Sequence, residues 1–270
     1  VAVNSVGHVF VFSRGNSVGP AYMASASQLL EFDDKGNFVR EIGKNLNAWS
    51  YAHAVRIDPQ DNIWVVDKGS NMILRFTPEG HVDWVFGRKG EASHLQVPPD
   101  YQTVMARLLD RAGVDMEIPE NNNPRWPIPV HRDNVFNQPT DVAWDSMGNS
   151  YFSDGYINSR VAKVNARGEW VASWGSLGSG PGQFDTPHGL AVSPADEIYV
   201  ADRGNRRVQV LDTDGNYLRE FIVDVPVDTS RGKIVYGSEN PNGTRGSQAP
   251  GAPDALCMTP GPNPVLFIGD

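Results

Sequence analysis

The chain is poor in the residues that would make several protein classes easy to recognise. It has one cysteine, Cys257, in 270 residues, so no internal disulfide can form and the fold must hold by packing alone. It lacks any apolar run near the ~18 residues of a membrane span. It also lacks basic excess: 23 Lys and Arg stand against 32 Asp and Glu, a formal charge of −9. A polyphosphate partner wants a basic face, so nucleic acid is not expected. Turn formers are abundant, with 27 Gly and 20 Pro, and 40% of the residues are hydrophobic. That composition fits one large β domain as well as two small domains.

The turns are periodic. "VAVNSVGHVFVFSRG" (1–15), "VRIDPQDNIWVVDKG" (55–69), "VAWDSMGNSYFSDG" (142–155) and "LAVSPADEIYVADRG" (190–204) each read as apolar strand, polar turn, apolar strand. Asn4, Asp58, Asp145 and Ser193 open the turns, and Ser13, Asp67, Asp154 and Asp202 follow nine residues later. A fifth copy, "LCMTPGPNPVLFIGD" (256–270), carries two extra residues. Each of the first four copies is followed by a second hairpin across a Gly turn, as in "MILRFTPEGHVDWVFG". Four-stranded antiparallel units repeated at this length predict an all-β protein, a β-propeller rather than a sandwich or barrel.

The predicted units cover about 1–43, 53–87, 140–175, 188–222 and 254–270 of a single domain. That is about four and a half blades, so the ring is expected to be truncated at both ends, as a fragment of a larger gene product. Two insertions interrupt the spacing, 15–27 and about 89–137. Within the second, Tyr101, Val104, Met105, Leu108 and Leu109 share one face of a helix expected over 100–113, and the rest reads as loop.

Two histidines occupy one repeat position. His53 precedes Asp58 by five residues, and His188 precedes Ser193 by five. Thr140 and Asp254 stand there in units three and five. The first strand of each propeller blade lines the central channel, so equivalent positions converge at one depth. Alternate units of a six-membered ring make a threefold set, and three imidazoles with an open fourth position suit catalytic zinc. The third histidine would then lie beyond residue 270, and residues 1–270 alone should bind zinc weakly. The plainer reading makes each histidine a polar cap on the channel mouth. His8, His81, His94 and His131 read as solvated turn or insertion residues. Just past the nine-residue mark come Arg14, Lys68, Tyr156 and Arg203, which should flank the histidines. An arginine beside a phenol favours phenolate, and such a tyrosine can act as general base. Arg203, in "ADRGNRR", reads equally as a residue bridging neighbouring turns.

The repeat resembles the NHL type. "FSRG", "GKNL" before "YAHAVRID", "QPTDVAWD", "SDGYINSR", "PGQF" with "PHGLAV", and "VADRGNRR" resemble, in order, the peptidyl-α-hydroxyglycine α-amidating lyases. The resemblance implies a six-bladed propeller that cleaves a C-terminal peptidyl-α-hydroxyglycine, or a related carbinolamide, into an amide and glyoxylate. It implies zinc on His53 and His188, catalytic roles for Arg14, Tyr156 and Arg203, and a structural calcium on the backbone carbonyls of Val1 and Val55. It implies a peptide-like small substrate, a monomer, and a secreted or periplasmic setting. The family's animal disulfide positions correspond to Asn137 with Ile157 and Tyr199 with Val210, none of them cysteine, which suggests a bacterial-type relative. "GAPDAL" can be read as the start of unit five or aligned with the family's last histidine motif, which would put Pro253 in the histidine's place. The alternatives are a non-catalytic propeller that binds a protein or ligand through its loops and, ranked last, a calcium-dependent lactonase-like propeller.

Overall fold

A computed structural model describes residues 1–14, 27–91, 94–95, 129–223, 225 and 251–269. The expected helix over 100–113 and most of the two insertions lie outside them. The described residues form an incomplete β-propeller. Its first sheet is β1 (Ala2–Val3), β2 (Val9–Ser13), β3 (Gln28–Phe32) and β4 (Phe38–Ile42), and its second is β5 (Ala52–Ile57), β6 (Ile63–Asp67), β7 (Met72–Phe76) and β8 (Val82–Phe86). A short antiparallel pair, β9 (His94–Leu95) with β10 (Pro129–Val130), belongs to the insertion. The third sheet is β11 (Asp141–Trp144), β12 (Ser150–Asp154), β13 (Arg160–Val164) and β14 (Trp170–Trp174). The fourth is β15 (Pro187–Val192), β16 (Ile198–Asp202), β17 (Arg207–Leu211) and β18 (Tyr217–Ile222), followed by the pair β19 (Ala255–Met258) and β20 (Leu266–Gly269).

All pairings are antiparallel between consecutive strands, and the first strands meet each other: β5 packs on β1 and β11, and β15 on β11 and β19. Each gap between sheets holds its own apolar layer. Ile63 and Val65 face Phe10, Leu29 and Ile42 of the first sheet. Trp64 and Val66, alternate residues on the same strand, face Phe152, Ala162 and Val164 of the third. A strand covered on both faces needs no polar side, and β6, β12 and β17 are buried throughout.

The repeat's acidic residues organise its loops. Asp58 accepts the backbone N–H groups of Gln60 and Asn62 and the indole N–H of Trp64. Asp145 does the same for Met147 and Asn149 and accepts the Tyr151 hydroxyl. These are side-chain-closed turns. The closing aspartates act across a longer distance. Asp67, Asp154 and Asp202 are fully buried, and each accepts the backbone N–H of the residue seventeen positions before it: Ser50, Asn137 and Asp185. Each therefore ties the segment entering its sheet to the end of the second strand. That tie holds both sides of the channel mouth, where the candidate site residues stand.

Candidate active site

The histidines sit on backbone irregularities. In β5, Ala52 pairs with Asp67 and Ala54 with Val66, so His53 is an extra residue without a partner. In β15 the register likewise slips by one between Pro187 and Leu190, at His188 and Gly189. β11, which follows Thr140, shows no such slip. A bulge bends the strand and re-aims the side chain it carries, and here it marks the two histidine-bearing strands. Thr140 serves as a brace instead. Its Oγ1 lies 3.0 Å from the Pro187 carbonyl, and the neighbouring Ser153 hydroxyl donates to the His188 carbonyl at 2.8 Å. Gly155 lets the third sheet come this close, because a Cβ there would lie 1.8 Å from the Pro187 oxygen.

The two imidazoles meet, with ring centroids 4.7 Å apart. His53 Nδ1 lies 2.8 Å from the Thr140 carbonyl, and His188 Nδ1 lies 2.6 Å from the Asp254 carbonyl. A carbonyl can only accept, so both Nδ1 atoms carry the proton and both Nε2 atoms present lone pairs. Those Nε2 atoms converge on one oxygen, the Tyr156 hydroxyl, at 3.3 Å from His53 and 3.1 Å from His188. Burial holds both imidazoles below the usual histidine range, and their proximity adds to the effect at His53.

Arg203 Nη1 donates to the same hydroxyl at 3.3 Å, and its Nε lies 2.9 Å from Asp254 Oδ1. The expectation that arginine would lower the phenol pKa holds only in part. Burial is the larger effect and pushes Tyr156 up, while Arg203 pulls against it. Arg14 reaches the site through Tyr51, which the sequence reading overlooked. Its guanidinium stacks on that ring at 4.0 Å, and its Nε donates to the Ala52 carbonyl at 3.0 Å. Lys68 holds its ammonium 3.4 Å from the centroid of the Tyr156 ring. Of the other histidines, His8 is paired with Glu31 at 2.7 Å, and His131 Nε2 donates to the Asn158 carbonyl at 2.8 Å. Both keep the expected turn and insertion positions, but each is half-buried with a hydrogen-bond partner.

The donor set fits part of a zinc site. One phenol proton cannot satisfy two Nε2 lone pairs, so one acceptor is left for another donor or a cation. Two imidazole donors stand together, and the described residues contain no cluster of three or more His, Cys, Asp or Glu able to hold a metal. Calcium fits less well. Val1 and Val55 line a cavity of about 260 Å³ with Asp141, Asp254 and Arg56. A hard dication wants six to eight oxygens. Here Asp141 is engaged by Arg56 through both guanidinium arms and Asp254 by Arg203, and Arg56 Nη2 also donates to the Leu256 carbonyl at 3.1 Å. Arg56 already supplies positive charge that bridges three sheets. We expect calcium chelation to leave the urea unfolding midpoint unchanged. Arg56→Met should cost on the order of 3 kcal/mol by stranding the buried Asp141 carboxylate.

Residues 184–211 match the NHL repeat family. Over 257 residues the chain is 29% identical to mouse "Peptidyl-glycine alpha-amidating monooxygenase", covering 87% of this chain and 22% of the mouse protein. It is 26% identical over 196 residues to Drosophila melanogaster "Peptidyl-alpha-hydroxyglycine alpha-amidating lyase 1", covering 69% of this chain and 29% of that protein. The chain is similar to these proteins over most of its own length and spans less than a third of either of theirs. Among solved structures it is similar to a streptogramin B lyase, with a TM-score of 0.49 at 13% identity, over 84% of this chain and 54% of the other. No described helix is long and apolar enough to cross a membrane.

Proposed function

We propose that this protein is a metal-dependent lyase that cleaves the Cα–N bond of a peptidyl-α-hydroxyglycine, releasing a peptide amide and glyoxylate. The observation that carries the reading is the convergence of two neutral, buried Nε2 atoms on a single phenol oxygen. His53 and His188 would hold zinc, which supplies a Lewis acid at the reacting hydroxyl and favours the phenolate. Tyr156 takes the proton of the substrate hydroxyl. As the C–O bond becomes a carbonyl, the Cα–N bond breaks, and the departing amide nitrogen receives that proton from Tyr156. Charge and atoms balance with no other reagent. Arg203 stabilises the phenolate through Nη1 and is itself oriented by Asp254.

The test is direct. Protein supplemented with zinc should release stoichiometric glyoxylate and amide from an N-acyl-α-hydroxyglycine, lose that activity to a chelator, and regain it with zinc. A zinc-loaded protein with no glyoxylate release above the spontaneous rate would leave the propeller as a binding scaffold.

A further inference from the structure

Three cations gather at the channel mouth of a chain whose net charge is −9. Arg14 lies on Tyr51, Arg203 on the Tyr156 hydroxyl, and Lys68 between them, its ammonium 3.4 Å from the centroid of the Tyr156 ring and 5.6 Å from that of Tyr51. Two of the three are engaged elsewhere: Arg203 with Asp254, Arg14 with the Ala52 carbonyl. Lys68 is buried, and no carboxylate pairs with it among the described residues. Burial and the two arginines bring its pKa down to about 8. A lysine in such a place costs stability, because desolvation and like charge both oppose its charged form. An anion between the three groups would relieve both.

We propose that Lys68 is the residue that binds the substrate's carboxylate, and so selects α-hydroxy acids over their neutral counterparts. The identity of that carboxylate as the hydroxyglycine's rests on the lyase reading above. The position is suitable, because an anion on the Lys68 ammonium lies beside the Tyr156 ring whose oxygen faces both imidazoles. The carbinol carbon, one bond from the carboxylate, then falls next to that oxygen. Lys68 also orients Tyr156 through its ring face, so a merely structural role must be separable from binding.

The separating experiment compares an N-acyl-α-hydroxyglycine with the corresponding α-hydroxyglycinamide, which lacks the charge. Lys68→Met keeps the stem on the Tyr156 ring and removes the ammonium. It should raise KM for the acid by roughly ten- to hundredfold, the usual worth of a hydrogen bond to a charged group, with kcat within about threefold. KM for the amide should stay unchanged, and Lys68→Arg should recover most of the loss on the acid. Equal losses on acid and amide, or none on either, would overturn the assignment. Calorimetry with glycolate and glycolamide on the zinc-supplemented protein gives a readout free of turnover. Glycolate binding that depends on Lys68, in a protein that never releases glyoxylate, would retain this proposal and remove the lyase reading. Glycolate affinity equal in wild type and Lys68→Met, in a protein that does release glyoxylate, would remove this proposal and retain the lyase reading. Should Lys68→Met fold poorly, Lys68→Gln replaces it in every arm.

Discussion

Assayed with zinc in excess, a His188→Ala variant is expected to bind the ion more weakly still than the two-imidazole site does and to lose all measurable glyoxylate release, while its fold stays intact. The site offers two imidazole nitrogens, and removing one leaves a single ligand for the ion. Altering groups that merely orient a zinc ligand already costs about 10–100-fold in affinity or activity, and removing the ligand itself should cost more. His53→Ala should behave the same way, and the double variant should be no worse than either single, because both act through one ion. The measurement is zinc affinity by titration, alongside kcat/KM at saturating zinc. The fold should tolerate the change because His188 makes its side-chain hydrogen bonds to Tyr156 and to the Asp254 carbonyl, and takes no part in the apolar layers between sheets. Full activity in His188→Ala would end the metal reading.

The features the sequence made legible are those that repeat. The nine-residue interval between turn and closing aspartate follows from the length of one hairpin, and the structure adds the reason for the acid. Asp67, Asp154 and Asp202 each accept a backbone N–H seventeen residues upstream. The shared position of His53 and His188 was legible for the same reason, since equal register in equivalent sheets puts side chains at equal depth. The convergence itself depended on features with no side-chain signature. A one-residue bulge in each histidine strand sets the aim, and backbone carbonyls of Thr140 and Asp254 fix the tautomer. Neither can be read from residue identity. Tyr156 shows a different failure. The arginine beside it was visible from spacing, but the burial that outweighs it was not. Arg56 was passed over because a cation on an inward strand has meaning only once Asp141 and the Leu256 carbonyl are found beside it.

Tyr156→Phe is expected to lower kcat by roughly 10²–10⁴-fold, the usual contribution of a positioned acid–base group, while zinc affinity by titration stays at the wild-type level. The two readouts together distinguish this residue from the histidines. Phenylalanine keeps the ring that Lys68 covers and the edgewise packing of Tyr156 against both imidazoles, whose centroids lie 5.6 Å away. It removes only the oxygen that faces both Nε2 atoms and Arg203. Because that oxygen takes the substrate's proton and returns it to the leaving nitrogen, its loss should appear in kcat and kcat/KM alike, with little change in KM. Arg203→Met, which leaves the phenol in place without its charge partner, should fall between wild type and Tyr156→Phe. A Tyr156→Phe protein whose kcat stays within threefold of wild type would remove Tyr156 from the chemistry, and another base would have to be found.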